Sequence, residues 1–216
     1  MLYKPDQMLP SENELVAEFD VTRVTVRNAM KKLKDEGRIR TEKGKGSFVT
    51  HPKIVQNLDK IYSIGKDFNE KRSKLKNGKV EVFKEIPNST IKKHLQLNAN
   101  EEVIAIKIVK KLEGIPVVVL MSYLPVRIAP EMTASDLESS TIYDVLEMKY
   151  NIKLIRAKEY LDPIVADEYY SELLDVEVNT PLFMTERISY TDFDRPIEYR
   201  KCVIRSDKFR FSVELV

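Results

Sequence analysis

Apolar positions in the first fifty residues change period twice. Ser11 followed by Glu14 makes a capping box, in which hydroxyl and carboxylate each satisfy an orphan amide at a helix start. Leu15, Val16 and Phe19 then supply a short apolar face. After the break at Asp20-Val21, Thr22 is a second N-cap. Behind it, Val26, Ala29, Met30 and Leu33 recur at i, i+3, i+4 and i+7, which predicts a helix with one buried face. Gly37 stands where such a helix ends. Two short helices joined by a tight turn form a helix-turn-helix. Ile39 to Thr41 and Ser47 to Val49 follow as strands, and Glu42-Lys43-Gly44-Lys45-Gly46 is the tip of a charged hairpin, or wing.

From about Ile61 the period becomes that of strands. Lys79 to Ile86 and Val103 to Val109 alternate, and Gly114-Ile115-Pro116 turns the chain into a strand from Val117 to Tyr123. Ser140 is read as the cap of a helix whose Ile142, Tyr143, Leu146 and Tyr150 line one face. A strand from Leu154 to Leu161, a helix from Ala166 to Leu174 and a hairpin of Pro181–Tyr190 with Pro196–Arg205 complete the pattern. Hairpins with interspersed helices predict an α+β fold on an antiparallel sheet. Residues 51–60 carry no clear period and read as a linker, with Pro52 blocking extension of the wing strand. The expected division is 1–50, a winged helix-turn-helix, then the 51–60 linker, then 61–216, the α+β domain.

Charge sharpens this division. The net charge of the 216 residues is +2, but residues 1–22 sum to −4 and residues 23–53 to +7. The basic segment coincides with the second helix and the wing, as a phosphate-binding surface requires. Arg23, Thr25, Arg27, Asn28, Lys31 and Lys32 face away from the apolar stripe. Guanidinium and hydroxyl groups near a helix N-terminus reach base edges in the major groove, and that helix end favours phosphate. A solvated basic face explains the charge equally well, so charge alone leaves both readings open.

Three blocks decide between them: Leu9-Pro10-Ser11-Glu12, Thr22 to Arg27, and Gly44 to Val49. Their order and spacing resemble the DNA-binding domain of the GntR family of transcription regulators. The resemblance implies DNA contacts from Thr22, Arg23, Thr25, Arg27, Lys43, Gly44, Lys45 and Gly46, with Ser11 and Asn13 of the first helix nearby. Family members have a further helix before the Lys4-Pro5 stretch. That helix is absent ahead of Met1, and restoring it is expected to raise DNA affinity.

Ser140 to Asp144, Arg156 to Glu159, Leu173-Leu174, Pro181-Leu182, Glu186-Arg187 and Arg195 to Tyr199 resemble a UTRA domain. This is the effector domain of the HutC subfamily, with a chorismate-lyase-like fold. The resemblance implies a homodimer held through this sheet and a small-molecule pocket that alters DNA binding. Relatives sense sugar phosphates or other small acids, and the matching positions are Lys110, Thr141, Tyr143, Arg156 and Glu198, with Ser63 and Ile64 at the pocket edge. Lys or Arg beside a hydroxyl and a helix N-terminus suits an anion. Tyr143 in the core, and Arg156 paired with Glu159 or Glu186, is an equally ordinary arrangement. The family often has Arg at the position of Ile108, an acid at Leu120 and Tyr at Ile204, which points to a less polar pocket or a different ligand.

Other chemistries are weakly represented. Gly44 to Ser47 lacks the preceding glycine spacing of a phosphate loop. Two distant histidines, His51 and His94, and one cysteine, Cys202, offer no metal set, so neither metal nor cofactor is expected. A single cysteine fits a reducing cytoplasm, and the longest apolar stretch, Ile115 to Tyr123, falls well short of the ~20 residues of a membrane span. The expected function is therefore a cytoplasmic repressor, not an enzyme. As a dimer it grips a pseudo-palindromic double-stranded operator, and a small-molecule effector weakens that grip through the linker. A chorismate-lyase-like enzyme, or a dimeric module that has lost DNA binding, are the alternatives.

Overall fold

The computed structural model describes residues 3–42, 44–50, 53–58, 75–191 and 195–215. The chain divides into two compact units, Met1–Ile54 and Val55–Val216.

The first unit contains α1 (Glu12–Phe19), α2 (Arg23–Asp35) and the antiparallel pair β1 (Ile39–Glu42) and β2 (Gly46–Val49). Both expected N-caps are formed: Ser11 closes a capping box with Glu14, and the Thr22 side chain accepts from the Thr25 amide. Asp20 in the left-handed region ends α1 and starts the turn. Gly37 ends the α2 segment at φ +68, with its amide on the Lys34 carbonyl and the Arg38 amide on the Leu33 carbonyl. That double bond pattern satisfies carbonyls the helix leaves open, and only a residue tolerant of positive φ sits there cheaply. The N-terminal segment adds to the wing: Leu9 N–H donates to the Ser47 carbonyl at 2.7 Å and Val49 N–H to the Gln7 carbonyl at 2.9 Å.

One expectation for this unit needs correction. Of the stripe Val26, Ala29, Met30 and Leu33, only Val26 is buried; Met30 and Leu33 are half-buried and Ala29 is exposed. Phe19 of α1 is 62% exposed. Periodicity identifies which face is apolar, but burial requires an element opposite it, and two short helices with a two-stranded wing leave part of that face uncovered.

In the second unit, β4 (Leu75–Glu85), β5 (Val103–Leu112), β6 (Ile115–Pro125), β7 (Arg156–Val165), β8 (Pro181–Tyr190) and β9 (Pro196–Arg205) form one antiparallel sheet. Their order is β4-β5-β6-β9-β8-β7. Helices α3 (Ser89–Leu95) and α5 (Glu168–Leu174) cover one face. There Ile91 and Leu95 pack on Val103, Ile188 and Tyr199, and Leu174 packs with Val109, Val119 and Val203. Each such fully buried aliphatic side chain contributes about 1.5–3 kcal/mol. A 3-10 turn at Ser135–Leu137 and α4 (Ile142–Tyr150) meet the opposite face through Asn77, Ser189 and Glu198.

Three local expectations are corrected. Residues 54–57, expected to be linker, form strand β3 (Ile54–Asn57), which pairs with β10 (Phe209–Ser212). Ile54 and Gln56 alternate inward there, a signal too short to stand out from the sequence. The turn before β6 is Glu113-Gly114, both at positive φ, so that Ile115 and Pro116 already belong to the strand. The cap of α4 is Thr141 rather than Ser140: its hydroxyl accepts from the Asp144 amide, and Asp144 reciprocates. Thr141→Ala is expected to cost about 1 kcal/mol while Ser140→Ala costs a few tenths at most, read from chemical denaturation midpoints.

Candidate functional site

The two units carry different chemistry. In the first, Arg23, Arg27, Lys31 and Lys34 sit on α2 at spacings that keep them on one side of the helix. Arg27 meets Glu12 of α1 at 3.2 Å with both side chains solvated, a pair worth roughly 0–1 kcal/mol and therefore easily exchanged for another anion. Ser11, Arg27, Lys31, Lys34, Lys45 and Gly46 line one cleft of about 860 Å³. The basic groups of the second helix and the wing share this cleft with Glu12 and Glu14 of α1 and with Met8, Leu9 and Met30. Asn13 lies exposed on α1, and Thr22 and Thr25 share a 2.9 Å contact between hydroxyls. Lys45 reaches Glu42 at 3.2 Å; Gly44 and Gly46 hold φ +78 and +123 at the tip. A Cβ at Gly46 would stand 3.4 Å from the Met8 sulfur, so a side chain there meets both backbone strain and the N-terminal segment. Lys43 lies outside the described residues.

In the second unit, strand pairing builds a polar cluster in the middle of the sheet. Side chains alternate across a strand, so paired residues share a face. Pairing of Lys107 with Met121 and of Ile106 with Ser122 sets the phase; Ser122 faces Arg200, Arg187 faces Arg200, Ser189 faces Glu198 and Glu159 faces Arg187. The Glu198 carboxylate is fully buried and accepts three hydroxyl bonds: Ser122 at 2.6 Å, Tyr143 at 2.7 Å and Ser189 at 2.8 Å. Arg187, also buried, pairs with Glu159 at 2.5 Å. Arg200 is 1% exposed, with its guanidinium 5.2 Å from the Tyr143 ring centre. Lys110 donates to Asn77 Oδ1 at 3.0 Å, and Asn77 in turn donates to the Leu137 carbonyl at 2.7 Å.

Burial governs ionisation here. It pushes the Tyr143 phenol up to about 12, and it raises the Cys202 thiol, leaving a protonated and inert sulfur. Burial also holds the Lys110 ammonium down to about 8, with Arg200 adding repulsion. Since the unfolded chain binds this proton more tightly, the cost of charging Lys110 is fully present below about pH 8 and is relieved as pH rises toward 10.5. The stability advantage of Lys110→Met over the natural chain is therefore expected to shrink across that window, a trend that thermal melts from pH 7 to 10 would show.

The structure joins Lys110, Tyr143 and Glu198 on this face but treats the other expected effector residues differently. Thr141 is engaged in its cap. Arg156 pairs in register with Tyr190 and stacks over that ring at 3.9 Å, one position out of phase with Glu159 and hence on the opposite face. Ser63 and Ile64 lie outside the described residues. Ser122, Arg187, Ser189 and Arg200 were not anticipated; the register of β6, β8 and β9 is what brings them to Glu198.

Residues 2–49 match the model of the bacterial regulatory proteins of the gntR family, and residues 72–210 match the UTRA domain. The chain belongs to the GntR family, in its UTRA-containing branch. This regulator is 30% identical to the HTH-type transcriptional repressor NagR of Bacillus subtilis, over 96% of the chain and 85% of the relative. It is 25% identical to a probable fructoselysine utilization operon transcriptional repressor of Escherichia coli K12, over 99% and 87%. The mannosyl-D-glycerate transport/metabolism system repressor MngR of the same organism is 24% identical, over 97% and 87%. The fold matches the crystal structure of PhnF from Mycobacterium smegmatis with a TM-score of 0.79 at 23% identity, covering 100% of this chain and 94% of that one. The α+β architecture, with its helix-turn-helix and effector domain, is thus that of a transcription regulator, and the family and these relatives are regulators rather than enzymes. No helix among the described residues is long and apolar enough to cross a membrane.

Proposed function

We propose that this GntR-family regulator is a repressor that binds its operator as a homodimer in the cytoplasm and releases it when a sugar-derived effector fills the face around Glu198. The observation that carries the reading is a buried carboxylate whose oxygens are held by three hydroxyls, within a domain joined to a basic helix-and-wing unit. Such a network is costly to bury for stability alone and suits recognition of ligand hydroxyls. Three relatives are named as repressors, two of them of fructoselysine and mannosyl-glycerate systems, which supports both the sign of regulation and the ligand class.

On the DNA side, Thr22, Arg23, Thr25 and Arg27 read base edges, Ser11 and Asn13 approach the adjacent backbone, and Lys43 to Gly46 track the neighbouring groove or phosphates. A dimer places two such helices in successive major grooves, about 34–36 Å apart. Footprinting of the full chain on DNA flanking its own gene tests this arrangement. Two protected half-sites in inverted repeat are expected, and a single asymmetric site would contradict the dimer. Lys45→Ala should lower the dependence of log affinity on log salt by about one unit or less.

A further inference from the structure

We infer that the effector carries a carboxylate, and that Arg200 receives it through the guanidinium edge formed by Nε and Nη2. The inference rests on the reading of this domain as a ligand-binding module and specifies the ligand's chemistry.

Arg200 stands mid-strand on β9, paired across to Ser122 of β6 and to Arg187 of β8. Neither its Nε nor its Nη2 makes a hydrogen bond among the described residues. These two nitrogens are neighbours along one edge of the planar guanidinium, with N–H bonds pointing the same way. The bare donors are therefore a ready fork for two oxygens of one group. The nearby acid does not fill that fork. Glu198 lies two residues along the strand, and its oxygens are taken by Ser122, Tyr143 and Ser189. The Tyr143 ring stands 5.2 Å from the guanidinium and offers it a π face, not an acceptor for the two N–H bonds of this edge. A buried guanidinium edge without an acceptor is costly, and an incoming oxyanion removes the cost.

Charge balance selects among oxyanions. The strands hold Lys110, Arg187 and Arg200 against Glu159 and Glu198, buried or half-buried on this face, an excess of one positive charge. One carboxylate cancels it, whereas a phosphate monoester dianion would overshoot. The oxygens of Ser122, Ser189, Tyr143 and Glu198 beside the fork have lone pairs left to accept from ligand hydroxyl groups. The class that fits is a hydroxylated carboxylic acid, such as a uronate or an aldonate.

Thermal unfolding of the full chain with glycerate, glycerol and inorganic phosphate, at matched ionic strength, tests the assignment. Glycerate is expected to raise Tm saturably, glycerol to leave it unchanged, and phosphate to do less than glycerate. Arg200→Met should weaken glycerate binding by at least about tenfold and raise the Tm of the ligand-free chain, because it removes two buried donors that have no acceptor. Arg200→Lys keeps the charge but not the fork, and should fall between the two. A glycerate shift that survives in Arg200→Met, a larger shift with phosphate, or no glycerate shift in the natural chain would overturn the inference. Operator binding measured on the same samples separates the two levels. If it persists while the glycerate result fails, only the carboxylate assignment falls; if the natural chain binds no operator, the regulator reading itself fails.

Discussion

Glu198→Ala is expected to lower the stability of the second unit by about 3–5 kcal/mol, the range for breaking a buried charged network. The substitution removes the shared acceptor of Ser122, Tyr143 and Ser189, leaving three buried hydroxyls to find others. It also strips one negative charge from a face that already holds Lys110, Arg187 and Arg200. Each orphaned polar group costs roughly 1–3 kcal/mol, partly recovered as the hydroxyls rotate toward one another; Tyr143 and Ser189 already stand 3.1 Å apart. Urea unfolding of the full chain, following the transition of this unit, would read the effect as a fall in midpoint at nearly constant slope. Glu198→Gln retains an acceptor oxygen and should lose distinctly less. A loss below about 1 kcal/mol for the alanine variant would mean that the three hydroxyl bonds do not hold the face together.

Arg23→Ala and Arg27→Ala should each weaken specific operator binding by about 1–3 kcal/mol, or roughly fivefold to more than a hundredfold. Both side chains lie on exposed positions of α2, so neither substitution should change the melting temperature appreciably. Arg27 gives up only a solvated contact with Glu12 when it engages DNA, which keeps its full charge available to the partner. Binding curves on specific and scrambled duplexes at one salt concentration separate lost readout from lost phosphate contact. A loss confined to the specific duplex marks base readout, and an equal loss on both marks phosphate contact. Unchanged affinity in both variants would remove α2 as the recognition helix.

What could be read in advance follows from how local each signal is. The hairpin of β8 and β9 begins at Pro181 and Pro196 as expected, because proline and alternation are both properties of adjacent residues. The caps at Ser11 and Thr22 and the positive-φ Gly37 are local in the same sense. The Glu198 cluster is not local. Its members come from β6, β8, β9 and α4, and only the register places Ser122 and Ser189 against Glu198 and Arg200. Glu198, Tyr143 and Lys110 were reached through family resemblance, whereas Arg200 needed the sheet. Arg156 shows the reverse case, since a motif names a position and only the pairing of β7 with β8 sets its side chain beside Tyr190. Ala29 shows another: a stripe says which side is apolar, not that anything lies against it.

Operator affinity measured by fluorescence anisotropy, with and without a ligand that stabilises the full chain in thermal unfolding, tests the central account most directly. Saturating ligand is expected to raise Kd for the operator by about fivefold to 150-fold, the usual span of coupling between two sites. By reciprocity, operator DNA should weaken ligand binding by the same factor. A ligand that saturates the second unit yet leaves operator Kd unchanged would contradict the account.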